Sequence, residues 1–106
     1  MKTIALCILM MVFINNCTVS PVKTEMEFAN TCARQGLWKE AHMRWSKLLN
    51  LGQKTAALHN NIAVALEHLG RYKEARQAYE AALKLAPNNS RIKSNFEKFK
   101  KIVGTE

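Results

Sequence analysis

Apolar and polar residues alternate in two different rhythms along this chain. From Ile4 to Ile14 the run is unbroken: eleven apolar residues with no polar face. After position 22 apolar residues recur three or four apart, the rhythm of amphipathic helices. Gly36, Gly52 and Gly70 punctuate that rhythm, since a residue without Cβ can take the left-handed cap that ends a helix. Pro87 with Asn88 and Asn89 stops another helix and opens a turn. The pattern predicts helices over 24–35, 38–50, 56–69, 72–85 and 90–103. Thr24 and Glu27 have the spacing of a capping box that would open the first.

Two of these helices have sharply divided faces. Over 56–69, Leu58, Ile62, Ala65, Leu66 and Leu69 fall on one side. Asn60, Val64, Glu67 and His68 fall opposite, with Ala57 and Asn61 beside them. Over 90–103, Ile92, Phe96, Phe99 and Val103 form a narrow apolar stripe, flanked by Arg91/Lys98 and Lys93/Lys100. A terminal helix with one wet face is what closes the end of a stacked array.

The chain also matches itself at an offset of 34 residues: Gly36 with Gly70, Trp38 with Tyr72, Glu40 with Glu74, Ala41 with Ala75, Trp45 with Tyr79. A period in this range means stacked helical hairpins that bury their apolar faces on one another. Pro and Gly are scarce, 2 and 4, so long irregular loops are not expected.

Residues 56–89 resemble a tetratricopeptide repeat, a 34-residue helix–turn–helix with fixed small and large positions. Ala63, Ala75 and Ala82 fall at its small positions and Leu66 at the tyrosine-like one. Gly70, Tyr72, Tyr79 and Pro87 follow in register, while His59 replaces the usual tryptophan. Residues 22–55 resemble a weaker copy through Phe28, Ala29, Cys32, Gly36, Trp38, Ala41 and Trp45, with departures at Leu48 and Gln53. The expected fold is all-α: an α-solenoid of two such repeats, 22–55 and 56–89, and a capping helix over 90–103. That is below the ~3 repeats that usually stand alone, so a partner or homo-oligomer is expected to complete it.

The resemblance implies a non-catalytic interaction scaffold whose first helices line a groove for a protein or peptide. Mapped on this sequence, the groove takes Lys23, Met26, Asn30 and Arg34 from the first repeat. The second repeat gives Asn60, Asn61, Val64, Glu67 and His68, and the capping helix Arg91. Some members clamp a peptide's C-terminal carboxylate, and Asn30, Asn61 and Arg91 suit that alternative. Met26 and Asn95 stand where a clamp wants cations.

Other chemistry is thin. His42, His59 and His68 are dispersed, and Ser46, His42 and Glu40 are organised by nothing visible in the sequence. No metal site, cofactor or catalytic residue is expected. The net charge of +8 favours acidic partners or an anionic membrane surface. Nucleic acid is not expected as a partner, because Phe96 and Phe99 in the lysine-rich end belong to the apolar stripe and not to a stacking platform.

The N-terminal run is too short to span a bilayer, which needs about 20 residues, and reads as a signal peptide over 1–16. Its approach to Cys17 resembles a bacterial lipoprotein signal, with Ile14 at the aliphatic position and Asn16 departing from the usual small residue. Processing there would leave Cys17 lipidated on a short tether, 17–21, as a membrane anchor. Thr18, in place of an inner-membrane retention aspartate, leans towards an outer-membrane lipoprotein facing the periplasm. Two alternatives are an uncleaved anchor on a regulatory repeat protein, and a secreted form with a Cys17–Cys32 disulfide.

Overall fold

The computed structural model describes residues 20–104. The expected signal peptide, Cys17 and most of the expected tether lie outside them. The described residues form five α-helices and no strand: α1 Pro21–Arg34, α2 Trp38–Asn50, α3 Ala56–His68, α4 Tyr72–Leu85 and α5 Ser90–Val103. Four of the five start where the hydrophobic rhythm places them.

The first helix does not. It begins at Pro21, three residues before Thr24, and so takes in the end of the expected tether. Proline at the first helical position loses nothing, because its missing N–H would have no partner there and its φ already suits a helix. Thr24 therefore lies inside the helix, donating its Oγ1 hydrogen to the Ser20 carbonyl at 3.3 Å. Glu27 reaches back to Lys23 at 4.0 Å instead of closing a capping box.

The helices are joined as two hairpins, α1–α2 and α3–α4, with the same turn in each. Gly36 and Gly70 have φ of +75° and +74°. At each, the next residue's N–H reaches back five positions, Leu37 to the Cys32 carbonyl and Arg71 to the Leu66 carbonyl, both at 2.9 Å. The glycine N–H bonds Ala33 or Glu67 at 3.0 Å. This pair of bonds satisfies the last carbonyls of the helix and needs a left-handed residue at the glycine. The 34-residue offset thus recurs as geometry, not only as spelling. Thr55 and Asn89 cap α3 and α5, accepting the N–H of Leu58 at 3.2 Å and of Ile92 at 3.1 Å.

Each helix packs on its neighbours in sequence, and α5 also reaches α3. Ala29, Ala41, Ala63, Ala75 and Ala82 are fully buried, which lets paired backbones approach closely. Leu48, larger than the alanine usual at its position, is fully buried as well. Cys32 is buried at the tyrosine-like position of the first hairpin. Tyr79 and Phe99 are buried, and with half-buried Phe96 they form an aromatic cluster with Tyr79 centroid distances of 5.4 Å. This cluster is how α5 closes the end of the array. Phe28 departs from the pattern: it is half exposed, with the Arg44 guanidinium 4.1 Å above its ring.

Candidate peptide-binding groove

A groove of about 510 Å³ runs along the inner faces of α1 and α3 to the start of α5. From α1 it takes Asn30, Ala33 and Arg34. From α3 come Ala57, Asn60, Asn61 and Val64, and from α5 Arg91 and Asn95. Its floor includes two residues that first-helix reasoning misses, Trp38 and Trp45 of α2.

Hydrogen bonds fix the orientation of much of this wall. The Trp45 indole N–H donates to Asn30 Oδ1 at 3.2 Å. Asn95 Nδ2 donates to Asn60 Oδ1 at 3.1 Å, tying α5 to α3. No buried side-chain polar atom among the described residues lacks a partner. The groove presents amides and aromatic surface on a preset frame, which reduces the entropy lost when a ligand is ordered on it.

Its charge has one sign. Arg34 and Arg91 line it and no carboxylate does. Neither arginine belongs to the ion pairs among the described residues, which engage Lys23, Arg44, Arg71 and Lys100. Arg34 makes one neutral bond, to Thr31 Oγ1 at 2.9 Å.

The structure brings Asn30, Arg34, Asn60, Asn61, Val64 and Arg91 together on this wall. It does not bring in the other four residues assigned to it. Lys23 pairs with Glu27, and Met26 packs half-buried against the core. Glu67 accepts the Tyr79 hydroxyl hydrogen at 2.8 Å. His68 stacks flat on Trp38, centroids 3.9 Å apart with 3° between planes. Asn60 also corrects its assigned face: it is buried, because α5 crosses the polar side of α3 at that point. Asn30 and Asn95, two positions a carboxylate clamp would use, are already bonded to Trp45 and Asn60.

The groove tryptophans had a signal in the sequence. A buried tryptophan needs an acceptor for its N–H, and Asn30, 15 residues before Trp45, supplies it from the paired helix. In the second hairpin the equivalent pair is Val64 and Tyr79, and the phenol bonds Glu67 instead. Burial, reinforced by the Glu67 carboxylate, pushes the Tyr79 pKa upward and keeps it protonated.

Away from the groove, His42 Nε2 lies 3.4 Å from Ser46 Oγ, one turn along α2. Glu40 does not join them, since it binds Arg44 at 2.7 Å. Burial, then the nearby Arg71 charge, lowers the His42 pKa. Among the described residues no three His, Cys, Asp or Glu side chains converge as a metal site would require.

Comparison with known families matches residues 56–89, the second hairpin and its closing proline, to the tetratricopeptide repeat. No curated protein matches the chain.

Proposed function

Because this chain is a tetratricopeptide repeat protein, an interaction module by family, we propose that it is an adaptor holding an acidic peptide segment of a partner protein. The observation that carries this is the charge of the α1–α3–α5 groove, which is lined by Arg34 and Arg91 and by no carboxylate. An extended acidic segment would lay its side chains between the two guanidinium groups, whose paired N–H donors fit carboxylate oxygens in a fork geometry. Asn61 and the Trp45-oriented Asn30 would supply amide donors to its backbone. Half-buried Trp38 offers apolar surface, and Trp45 lies buried beneath the groove. The work is mechanical, bringing two proteins together without chemistry.

We place that work at a bacterial cell envelope. The apolar run Ile4–Ile14 before Cys17 supports export and lipid anchoring there, on the periplasmic side of the outer membrane. No described helix is long and apolar enough to cross a membrane.

A peptide array probed with the full chain tests the groove. Acidic peptides should be retained and their basic counterparts not, with retention falling as salt rises. Replacing Arg34 and Arg91 together by alanine should weaken binding by about tenfold or more. Binding indifferent to charge and to both changes overturns the groove reading. The intact mass of membrane-extracted protein tests the anchor: a chain starting at Cys17 with acyl groups supports it, and an intact Met1 overturns it.

A further inference from the structure

The outer surface of the first hairpin carries apolar residues that its packing does not require. Leu37, Met43 and Leu51 are 51%, 57% and 64% exposed. Met43 lies between Lys39 and Lys47, one helical turn from each, so α2 shows a row of lysine, methionine and lysine. Three shallow hollows join along this row. Leu37, Lys39 and Met43 border the first, with Leu69 just after α3. Lys39, Met43, Lys47 and Leu51 border the second, with Arg71. Lys47 and Leu51 then border a third together with Pro21 and Val22. The surface is therefore continuous from the end of α3 to Pro21, where the N-terminal run enters the fold.

The internal repeat supplies a control. At the same register the second hairpin has Arg71 for Leu37, Gln77 for Met43 and Ala81 for Lys47, while it keeps Lys73 for Lys39 and an exposed Leu85 for Leu51. A hairpin of this build stacks with polar residues at the Leu37 and Met43 positions, so those two apolar side chains serve something other than the core. Isolated exposed apolar residues are ordinary; a continuous strip edged by one sign of charge marks an interface. The two carboxylates at its border do not alter that sign. Glu40 and Glu25 are both held by Arg44, at 2.7 and 3.0 Å.

We infer that this face of α2 lies on an anionic bilayer surface. Met43, Leu37 and Leu51 enter the headgroup layer while Lys39 and Lys47 meet the anionic headgroups. Apolar residues flanked by lysines are the composition that holds a helix at that depth, and an anionic leaflet attracts the lysines within a Debye length. Chain reach keeps this end of the fold close to the bilayer once the N-terminal segment is anchored there. Three residues separate a lipidated Cys17 from Pro21, an extended reach of at most about 14 Å. Pro21 shares its hollow with Lys47 and Leu51, so the lysine–methionine row is the surface the tether delivers to the bilayer. The α1–α3 groove then stays available to a partner. The inference rests on the reading of the N-terminal run as membrane-directed, and is independent of what the groove binds.

Amine-reactive footprinting of the full chain, read by mass spectrometry, tests it. The chain is mixed with phosphatidylcholine vesicles, with and without phosphatidylglycerol, and association is read by flotation. On the anionic vesicles Lys39 and Lys47 should label about fivefold more slowly or less, with Lys73 and Lys84 of the second hairpin unchanged. The double variant Met43→Glu, Leu51→Glu, at exposed positions, should keep its helical content and lose that protection. Flotation without protection of Lys39 and Lys47, or with protection moved to Lys93, Lys98 and Lys100 of α5, overturns this face alone. Protection that rises with protein concentration in the absence of vesicles assigns the row to a second copy and overturns the membrane contact. Absence of flotation overturns the N-terminal reading and this inference together.

Discussion

The Tyr79 hydroxyl of α4 donates to Glu67 Oε2 of α3 across 2.8 Å, joining the two helices of the second hairpin at the edge of the core. Glu67 looks from its spacing like a groove residue, yet its carboxylate serves as the acceptor that lets a tyrosine be buried. Tyr79→Phe would keep the ring in its cluster and leave a half-buried carboxylate without its donor. The expected loss is about 1–3 kcal/mol, measured by urea unfolding. Glu67→Gln keeps an acceptor and should lose less. If Tyr79→Phe matches the parent, the bond contributes nothing.

The same phenol sets a limit at high pH. Its pKa is raised above the ordinary value of 10.0, by burial first and Glu67 second. A group raised in the folded state contributes stability that is complete below its unfolded pKa and is lost as pH rises above it. Stability should therefore fall above about pH 10, and the fall should be shallower in Tyr79→Phe. Thermal unfolding of the two proteins across that range checks it; parallel curves count against the assignment.

At the acid end two histidines act with the opposite sign. The pKa of His42 is lowered by burial and then by Arg71, and that of His59 by burial and then by Lys54. Groups held neutral by the fold contribute stability above their ordinary pKa of 6.5, and it is lost as pH drops through the lowered values. The melting temperature should be lower near pH 5 than near pH 7.5, and a His42→Gln, His59→Gln protein should show a flatter slope. An unchanged slope would mean that neither imidazole is held neutral.

Phe99 is fully buried at the far end of the array, against Tyr79, Phe96 and the Tyr72 ring. Phe99→Ala removes the main contact between α5 and the second hairpin and should cost about 3–5 kcal/mol. That is a large share of what a chain of this size has available. Far-ultraviolet dichroism on heating should show a lower and broader transition, with hydrogen exchange speeding first in α5. A variant that melts with the parent would place the capping role elsewhere on α5.

Cys32 is 4% exposed between α1 and α2. Alkylation mapped by mass spectrometry should modify it only once urea has opened the first hairpin. Rapid labelling in native buffer would show that this hairpin opens on its own, as an isolated outer repeat does when its end is uncovered.

Much of the architecture was legible in one dimension. Glycine at 36 and 70, alanine at 41, 63, 75 and 82, and the aromatic pair at 45 and 79 each do a local job, so their spacing specifies helices, turns and the stacking period. The start of α1 was legible too, had Pro21 been weighed above the Thr24–Glu27 spacing. What spacing could not show is which polar residue a neighbouring helix would claim. Asn60 and Asn61 are adjacent on one helix; α5 buries the first and leaves the second half exposed to the groove. Glu67 was taken by Tyr79 of the paired helix and His68 by Trp38 of the preceding hairpin.

By itself, then, the order of residues determined the helices, their turns, their register and the closed end, because those depend on contacts within one repeat length. Only the packed structure decided the working surfaces: a groove with two arginines and no carboxylate, and an outer row of lysine and methionine reaching Pro21. Both arise where side chains distant in sequence meet, and periodicity along a single helix says nothing about what lies across from it.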